Sequence, residues 1–491
     1  MTFDIHTQTQ PAAASHSLMD APGAIRPRVG VIGGGVAGST VALRLAQQGD
    51  LDVVLVEQGA SLVNGPPMCH LHAGGNLYRE ISDEQCLKLL KQSIDTLKLY
   101  PHVANVRPTV IAVPVRDAGQ PTALLPRLET LKAAYQQLVD ADPSNQQLGA
   151  PEDYFRVFQR RELEALRECP LPAQPRTPEQ WMVPLARSLD FDAVKWPLVL
   201  VQEYGLSLFR LAASVELTLS QFPQVELLCQ TRLLDVSAQG AGWDLHIDQQ
   251  GQHRTLTVDY LVNACGYRTG TLDDAVGESR QRLVEFKAAY LAYWPEAQGR
   301  WPEVIVHGER GTPDGMAQLT PYGNGLFQLH GMTESITLFK SGLVASTETS
   351  AQPKLAPELE AKIQRGWPDA VVEARSRAAI AHMSHFLPGF ASAQPGGKPL
   401  FGAQQIPGAD PSLRAADVSF GRHRYARTEI VKASSALTAA DAILSALNQE
   451  GWLNGEPKPL PALPHNAVVE RAMALAEARA YPIQLAVPSG A

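Results

Sequence analysis

An α/β fold is predicted by three stretches of this 491-residue sequence. Arg28 to Gly59 reads as strand, glycine turn, helix, strand, acid; Val225 to Gly270 reads as a β-meander; and from Glu285 onward short strand-like runs follow one another. Together they predict a Rossmann-like nucleotide-binding domain assembled from separated segments, interleaved with an α+β domain built on a mostly antiparallel sheet.

The first stretch is "RVGVIGGGVAGSTVALRLAQQGDLDVVLVEQG". The β-branched run Val29 to Ile32 predicts a short buried strand, and Val41, Leu45 and Ala46 give Val36 to Gln48 a helical period that Gly49 stops. Val53 to Val56 is the second strand, ending at Glu57. The glycines act in different ways. Gly33 allows the tight turn, Gly35 has no Cβ to block a pyrophosphate, and Gly38 lets the helix press on the sheet. The helix opening at Val36 and Ala37 offers N–H groups and a positive dipole end to phosphates. Glu57, with Gln58 beside it, is placed to accept from ribose hydroxyls, and its charge disfavours a 2′-phosphate. This fingerprint alone leaves FAD and NAD both open.

Composition narrows the function class. A net charge of −8 and no Lys/Arg-rich run exclude a nucleic-acid partner. Five scattered cysteines, without CxxC pairs, argue against a disulfide framework or zinc ribbon and favour a reducing, cytoplasmic setting. Residues 1–27 read as a flexible tail without a signal-peptide core, and no window has the length and apolarity of a membrane span. A homo-oligomer is left open.

The stretch Val225 to Gly270 separates FAD from NAD. It reads as a strand, a Gly-Ala-Gly turn, a strand over Trp243 to Asp248, a turn at Gln249 to Gly251 and a third strand into "YLVNACG". With the glycine fingerprint it resembles the FAD-dependent oxidoreductases of the D-amino-acid oxidase superfamily, the group with glycine oxidase, L-2-hydroxyglutarate dehydrogenase and malate:quinone oxidoreductase. The resemblance implies FAD, with adenine against backbone near Leu233 and the nucleotide beside the turn Ala264-Cys265-Gly266, where Cys265 stands in place of the family's usual Thr or Ala. No second fingerprint and no "GDAAH" stretch appear. Electrons therefore enter from a small organic substrate and leave to oxygen, a quinone or a carrier protein.

"GPPMCHLHAGGNLY", Gly65 to Tyr78, poses a choice between metal site and cofactor wall. Cys69, His70 and His72 crowd together, yet the neighbouring sequence offers no further ligand to close a tetrahedral set, so no metal is expected. The resemblance makes "HAGG" the segment beneath the flavin, with Ala73, Gly74 and Gly75 as its wall. It also admits covalent attachment through Cys69, His70 or His72, against the default of noncovalent FAD. His70 and His72 are candidate catalytic residues.

The boundaries expected are 28–106, 191–275 and 395–450 for the FAD-binding domain, 107–190 and 276–394 for the substrate domain, and 451–491 for a C-terminal extension. Prolines make 107–190 irregular, with helical stretches at Thr130 to Leu138 and Arg161 to Arg167. Tyr322 to Gly325 is a hairpin signal joining two later strands. Lys287, Tyr290, Thr320, Gln328 and His330 are the polar residues expected over the flavin, about half of them pointing away by alternation. Tyr290 and His330 join the catalytic candidates. The last nucleotide helix follows Lys432, and the resemblance aims its N-terminus at the flavin. "GRHRYARTE" stands where the family has a glycine-rich approach. Its Arg422, Arg424 and Arg427 are candidates for gripping a substrate carboxylate, Arg424 as a catalytic and Arg427 also as a cofactor-binding residue. The expected reaction oxidises a CH–NH or CH–OH bond by hydride transfer to flavin N5. A structural or redox-sensing flavin and an NAD-binding dehydrogenase are the alternatives.

Overall fold

The computed structural model describes residues 26–68, 71, 73–74 and 79–488. Most of the tail, together with Cys69, His70, His72 and Gly75, lies outside the described residues.

A parallel sheet forms around strand Arg28–Ile32, which has Asp52–Val56 on one side and Tyr260–Asn263 on the other. Val225–Leu228 extends it beyond Asp52–Val56, and Tyr425–Thr428 beyond Tyr260–Asn263, with Val418–Phe420 as an antiparallel edge. The β-branched runs suit strands buried on both faces. Helix Val36–Ala46 covers one face and packs against helices Leu208–Leu219 and Ala436–Gln449. The meander Thr231–Gln239, Gly242–Gln249, Gln252–Val258 covers the other, sealing Trp243, Leu245, Ile247 and Val258 against Ile32, Val54 and Leu261. The sequence pattern predicts one continuous strand at the start of this meander. The chain instead breaks at Gln230, whose φ of +52° turns it from the parallel sheet into the meander.

The second large sheet is antiparallel except where Glu303–Val306 lies parallel to Thr109–Pro114. Its long strand, Arg282–Tyr293, pairs with Leu400–Pro407 along its first part and with Leu326–Gly331 along its second. The strand's alternation divides two cores. Ala289 and Leu291 join the core shared with the parallel sheet, whereas Ala288, Tyr290 and Ala292 pack beneath helix Asp369–Ser384. The hairpin at Tyr322 to Gly325 joins Ala317–Pro321 to Leu326–Gly331 and sets Gln318 opposite His330. Helix Leu125–Ala141 contains the first helical stretch expected, and Arg160–Leu166 the second except Arg167, which is its C-cap. Among the described residues no helix is long and apolar enough to cross a membrane.

Candidate active site

The glycine turn has the geometry its spacing demands. Gly33 has φ +101°, and a Cβ there would lie 2.4 Å from the Ala264 carbonyl oxygen. A Cβ on Gly38 would fall 1.8 Å from the Gly33 carbonyl oxygen, so the bare helix face is what brings helix and turn together. An added Cβ on Gly35 would meet nothing within 4 Å, because the space ahead is a cavity. Gly35 is the N-cap, no side chain caps the helix, and Gly35, Val36 and Ala37 line the cavity. Glu57 is buried at the end of its strand, accepting from the Gly34 N–H at 2.7 Å and the Gly59 N–H at 2.6 Å. Those bonds hold the carboxylate beside the turn.

The cavity, about 330 Å³, runs from this turn to the antiparallel sheet. Ala264 and Gly266 edge it; Cys265 does not. The Cys265 thiol reaches the Ile32 carbonyl at 3.5 Å, and burial pushes it up to about 12, which suits a packed small hydrophobe. One wall is Pro66 and Met68, from the loop after Glu57, and Gly402 to Gln405 form another. Ala73, farther along that loop, is fixed by the Tyr154 hydroxyl, which donates to its carbonyl at 2.9 Å. Gly74 has φ +105°. At the sheet end stand Lys287, Gln318 and His330, with Met316 and Met332. His330 Nε2 lies 3.3 Å from the Met68 sulfur across the cavity. Lys287 pairs at 2.9 Å with Glu285, which also binds Arg310. Gln318 donates to buried Glu303 at 2.5 Å, and Glu303 pairs with buried Arg107 at 2.6 Å.

Several expected residues lie elsewhere. Tyr290 has the opposite strand phase from Lys287: its ring meets Trp367 edge-on at 6.3 Å, and burial raises its phenol above the usual range. It does not line this cavity, contrary to the expectation. Thr320 and Gln328 share the phase of Gln318 and His330 but sit deeper, within reach of Gln318 (3.5 Å) and Tyr322 (3.3 Å).

The arginines of "GRHRYARTE" are also displaced, because residues 418–428 fold as a hairpin on the edge of the parallel sheet rather than as an approach to the flavin. Arg424 pairs with Glu450 at 2.8 Å and stacks over Trp452. Arg427 is buried against Asp273 at 2.5 Å and Glu278 at 2.7 Å. Arg422 uses its backbone N–H on Glu278. None of the three lines the cavity.

The segment that runs along the cavity to helix Ala436–Gln449 is Thr428 to Ala433, of which Ile430, Val431 and Lys432 are lining residues. Lys432 and Gln318 are polar lining residues that the sequence patterns do not single out. Counting back across the hairpin from His330 is the signal that would find Gln318. Gln58 is exposed at the end of its strand, and Leu233 half-packs on the meander core opposite a bulge at His246/Ile247.

The glycine turn, the uncapped helix it opens and the buried acid beside it thus stand at one end of a cavity whose other end is a polar sheet face. Residues 28–183 match the family of FAD dependent oxidoreductases. Among solved structures, the fold is similar to L-amino acid deaminase from Proteus vulgaris (TM-score 0.55, 13% identity, 91% of this chain and 97% of that one). It is also similar to glycine oxidase from Geobacillus kaustophilus (0.52, 14%, 86% and 95%) and FAD-bound L-α-glycerophosphate oxidase from Mycoplasma pneumoniae (0.51, 15%, 89% and 97%). At these identities the likeness is one of fold. No curated protein sequence matches the chain. The family match covers the segment that carries the glycine turn, and over the rest of the chain the likeness is one of fold. FAD suits the residues present: open space at Gly35 for the pyrophosphate, Glu57 for the ribose, and a chamber beyond them for the ring.

Proposed function

We propose that the protein oxidises a CH–NH or CH–OH bond of a small molecule bearing a carboxylate, held against the sheet end of the cavity. The observation that carries this is the cavity lining. Bare helix-opening backbone stands at one end, Lys287, Gln318 and His330 at the other, and Lys432 beside them, with no acidic side chain among the described lining residues. FAD, held without a covalent link by the backbone at Gly35 to Ala37 and by Glu57, would supply the two-electron acceptor. His330 is the group placed to take the N–H or O–H proton that must leave as the substrate carbon is oxidised.

Lys287 and Lys432 give the chamber a positive field in a partly dry setting, which favours an anionic substrate. Lys432, just before the opening of helix Ala436–Gln449, adds its charge to that helix's positive end. The carboxylate-binding role expected of Arg422, Arg424 and Arg427 passes to Lys287, with Arg310 behind it sharing Glu285. Gln58 and Leu233 belong to the adenine end. The described cysteines, Cys86, Cys169, Cys229 and Cys265, are free.

The test is a yellow protein that releases FAD on acid precipitation and is then titrated anaerobically with amino acids, hydroxy acids and their decarboxylated counterparts. Bleaching by carboxylated members alone is expected. A flavin bleached by none of them points to a structural or redox-sensing role, and colourless protein stabilised by NAD points to a dehydrogenase.

A further inference from the structure

The segment after helix Ala436–Gln449 does not line the cavity, yet it grips two of its walls from outside. Helix His465–Ala478 lies along helix Leu208–Leu219, and Arg471 pairs with Glu216 at 2.7 Å. Glu216 also accepts the Leu62 N–H at 3.1 Å. Just past the helix, Arg479 donates to three successive carbonyls, those of Val63 (3.1 Å), Asn64 (3.0 Å) and Gly65 (2.7 Å). The next residue is Pro66, where the cavity wall begins.

The other wall is tied to the same place. Lys398 donates to the Arg479 carbonyl at 3.0 Å, and the Tyr481 hydroxyl to the Pro399 carbonyl at 3.1 Å, immediately before strand Leu400–Pro407. The two walls touch where Gly402 faces Pro66: a Cβ on Gly402 would lie 3.0 Å from the proline ring.

The loop needs holding. Val63 is buried with φ +52°, a conformation unfavourable for a β-branched residue, and from inside the molecule its N–H donates to the Gly34 carbonyl at 2.7 Å. The turn it makes presents three carbonyls to one side. A planar guanidinium with several N–H donors in a fixed fork can satisfy all three, whereas an ammonium is a compact charge on a flexible stem. Phe209 lies under the guanidinium, 4.9 Å from its centre, and limits its movement.

We propose that residues 465–488 form a strap that sets the Pro66–Met68 wall, with Arg479 as its positioning residue; this rests on reading the cavity as the flavin site. The experiment titrates FAD into deflavinated wild type, Arg479→Ala, Arg479→Lys and a surface control, Arg160→Ala. It records the visible circular dichroism of the bound flavin and the thermal midpoint of each apoprotein. Arg479→Ala is expected to weaken FAD binding roughly tenfold, about 1.4 kcal/mol, and to change the flavin dichroism. Arg479→Lys should fall between, and Arg160→Ala should overlay wild type. If the alanine variant does not fold, the lysine variant decides. Variants that lose thermal stability but bind FAD with wild-type affinity and dichroism overturn the proposal, leaving a purely structural clamp. Wild type that takes up no flavin overturns the underlying reading instead, and the strap's role with it.

Discussion

At one end of the cavity the wall is backbone, set by the turn from Gly33 to Gly38; at the other it is side chains on strands drawn from residues 282 to 331. The first end works by what is missing, a Cβ at Gly35 and at Gly38. The second works by what is present: Lys287, placed by pairing with the distant strand Leu400–Pro407, and Gln318 and His330, set opposite each other across a hairpin. The difference teaches where tolerance lies. A backbone site fails sterically and all at once, whereas a side-chain site can lose one function and keep its shape.

The sharpest break of this comparison is a pair of alanines within the glycine turn. Gly38→Ala forces a Cβ to within 1.8 Å of the Gly33 carbonyl oxygen and should cost about 3 kcal/mol or more, with flavin uptake abolished. Gly35→Ala meets no protein atom within 4 Å, so the apoprotein should melt within a few degrees of wild type, roughly the shift of a change under 1 kcal/mol. It should nevertheless bind FAD far more weakly. Differential scanning calorimetry of the apoproteins with FAD titration checks both. Equal melting of the two variants would mean that helix and turn are not in the close contact described.

The same difference explains what could be read from the sequence. The glycine turn, the acid at its end and the meander are local patterns, and each was legible in its place. The break at Gln230 escaped because a glutamine in the left-handed region carries no turn signal. In the sheet over the cavity, alternation identified strands but not their phase. Lys287 and Tyr290 differ by an odd number of positions, and the choice between them is made by pairing with Leu400–Pro407, more than a hundred residues away. For Arg427 nothing local foretold burial, since its partners Asp273 and Glu278 come from another part of the chain.

A smaller effect is expected at the side-chain end. His330→Gln keeps a polar group of similar reach but cannot act as a base near neutral pH, so anaerobic flavin reduction by substrate should slow by roughly a hundredfold. FAD affinity should stay at the wild-type value. Stopped-flow absorbance together with FAD titration separates the two. Joint loss of both would place His330 against the flavin rather than the substrate.

The antiparallel sheet that carries the side-chain end should also respond to pH, at a position outside the cavity lining. His307 ends strand Glu303–Val306, almost wholly buried, and its ring nitrogens find no hydrogen-bond partner among the described residues. Burial, with Arg79 nearby, depresses its pKa to about 4. Between that value and the ordinary 6.5 the unfolded chain binds a proton that the folded chain refuses, so stability should fall as pH drops through this window. The slope contributed is at most about 1.4 kcal/mol per pH unit. Denaturant titrations from pH 7 to pH 4 on wild type and His307→Leu check it, the variant losing that part of the slope. Identical slopes would show that His307 takes up its proton without unfolding.

The least effect is expected at Arg424, which bears on whether substrate recognition resides in the side chains over the cavity or in the arginine-rich hairpin. Its guanidinium pairs with Glu450 near the surface, both side chains being roughly a third exposed, and stacks on Trp452, outside the cavity lining. Such a pair contributes under about 1 kcal/mol, and salt screens it further. Arg424→Ala should therefore leave KM and the flavin spectrum unchanged and move the melting temperature only slightly. Lys287→Ala, by contrast, should raise KM for carboxylated substrates without changing it for a neutral analogue. If Arg424→Ala raises KM and Lys287→Ala does not, the anion is bound through the hairpin, and the chamber's positive field has another purpose.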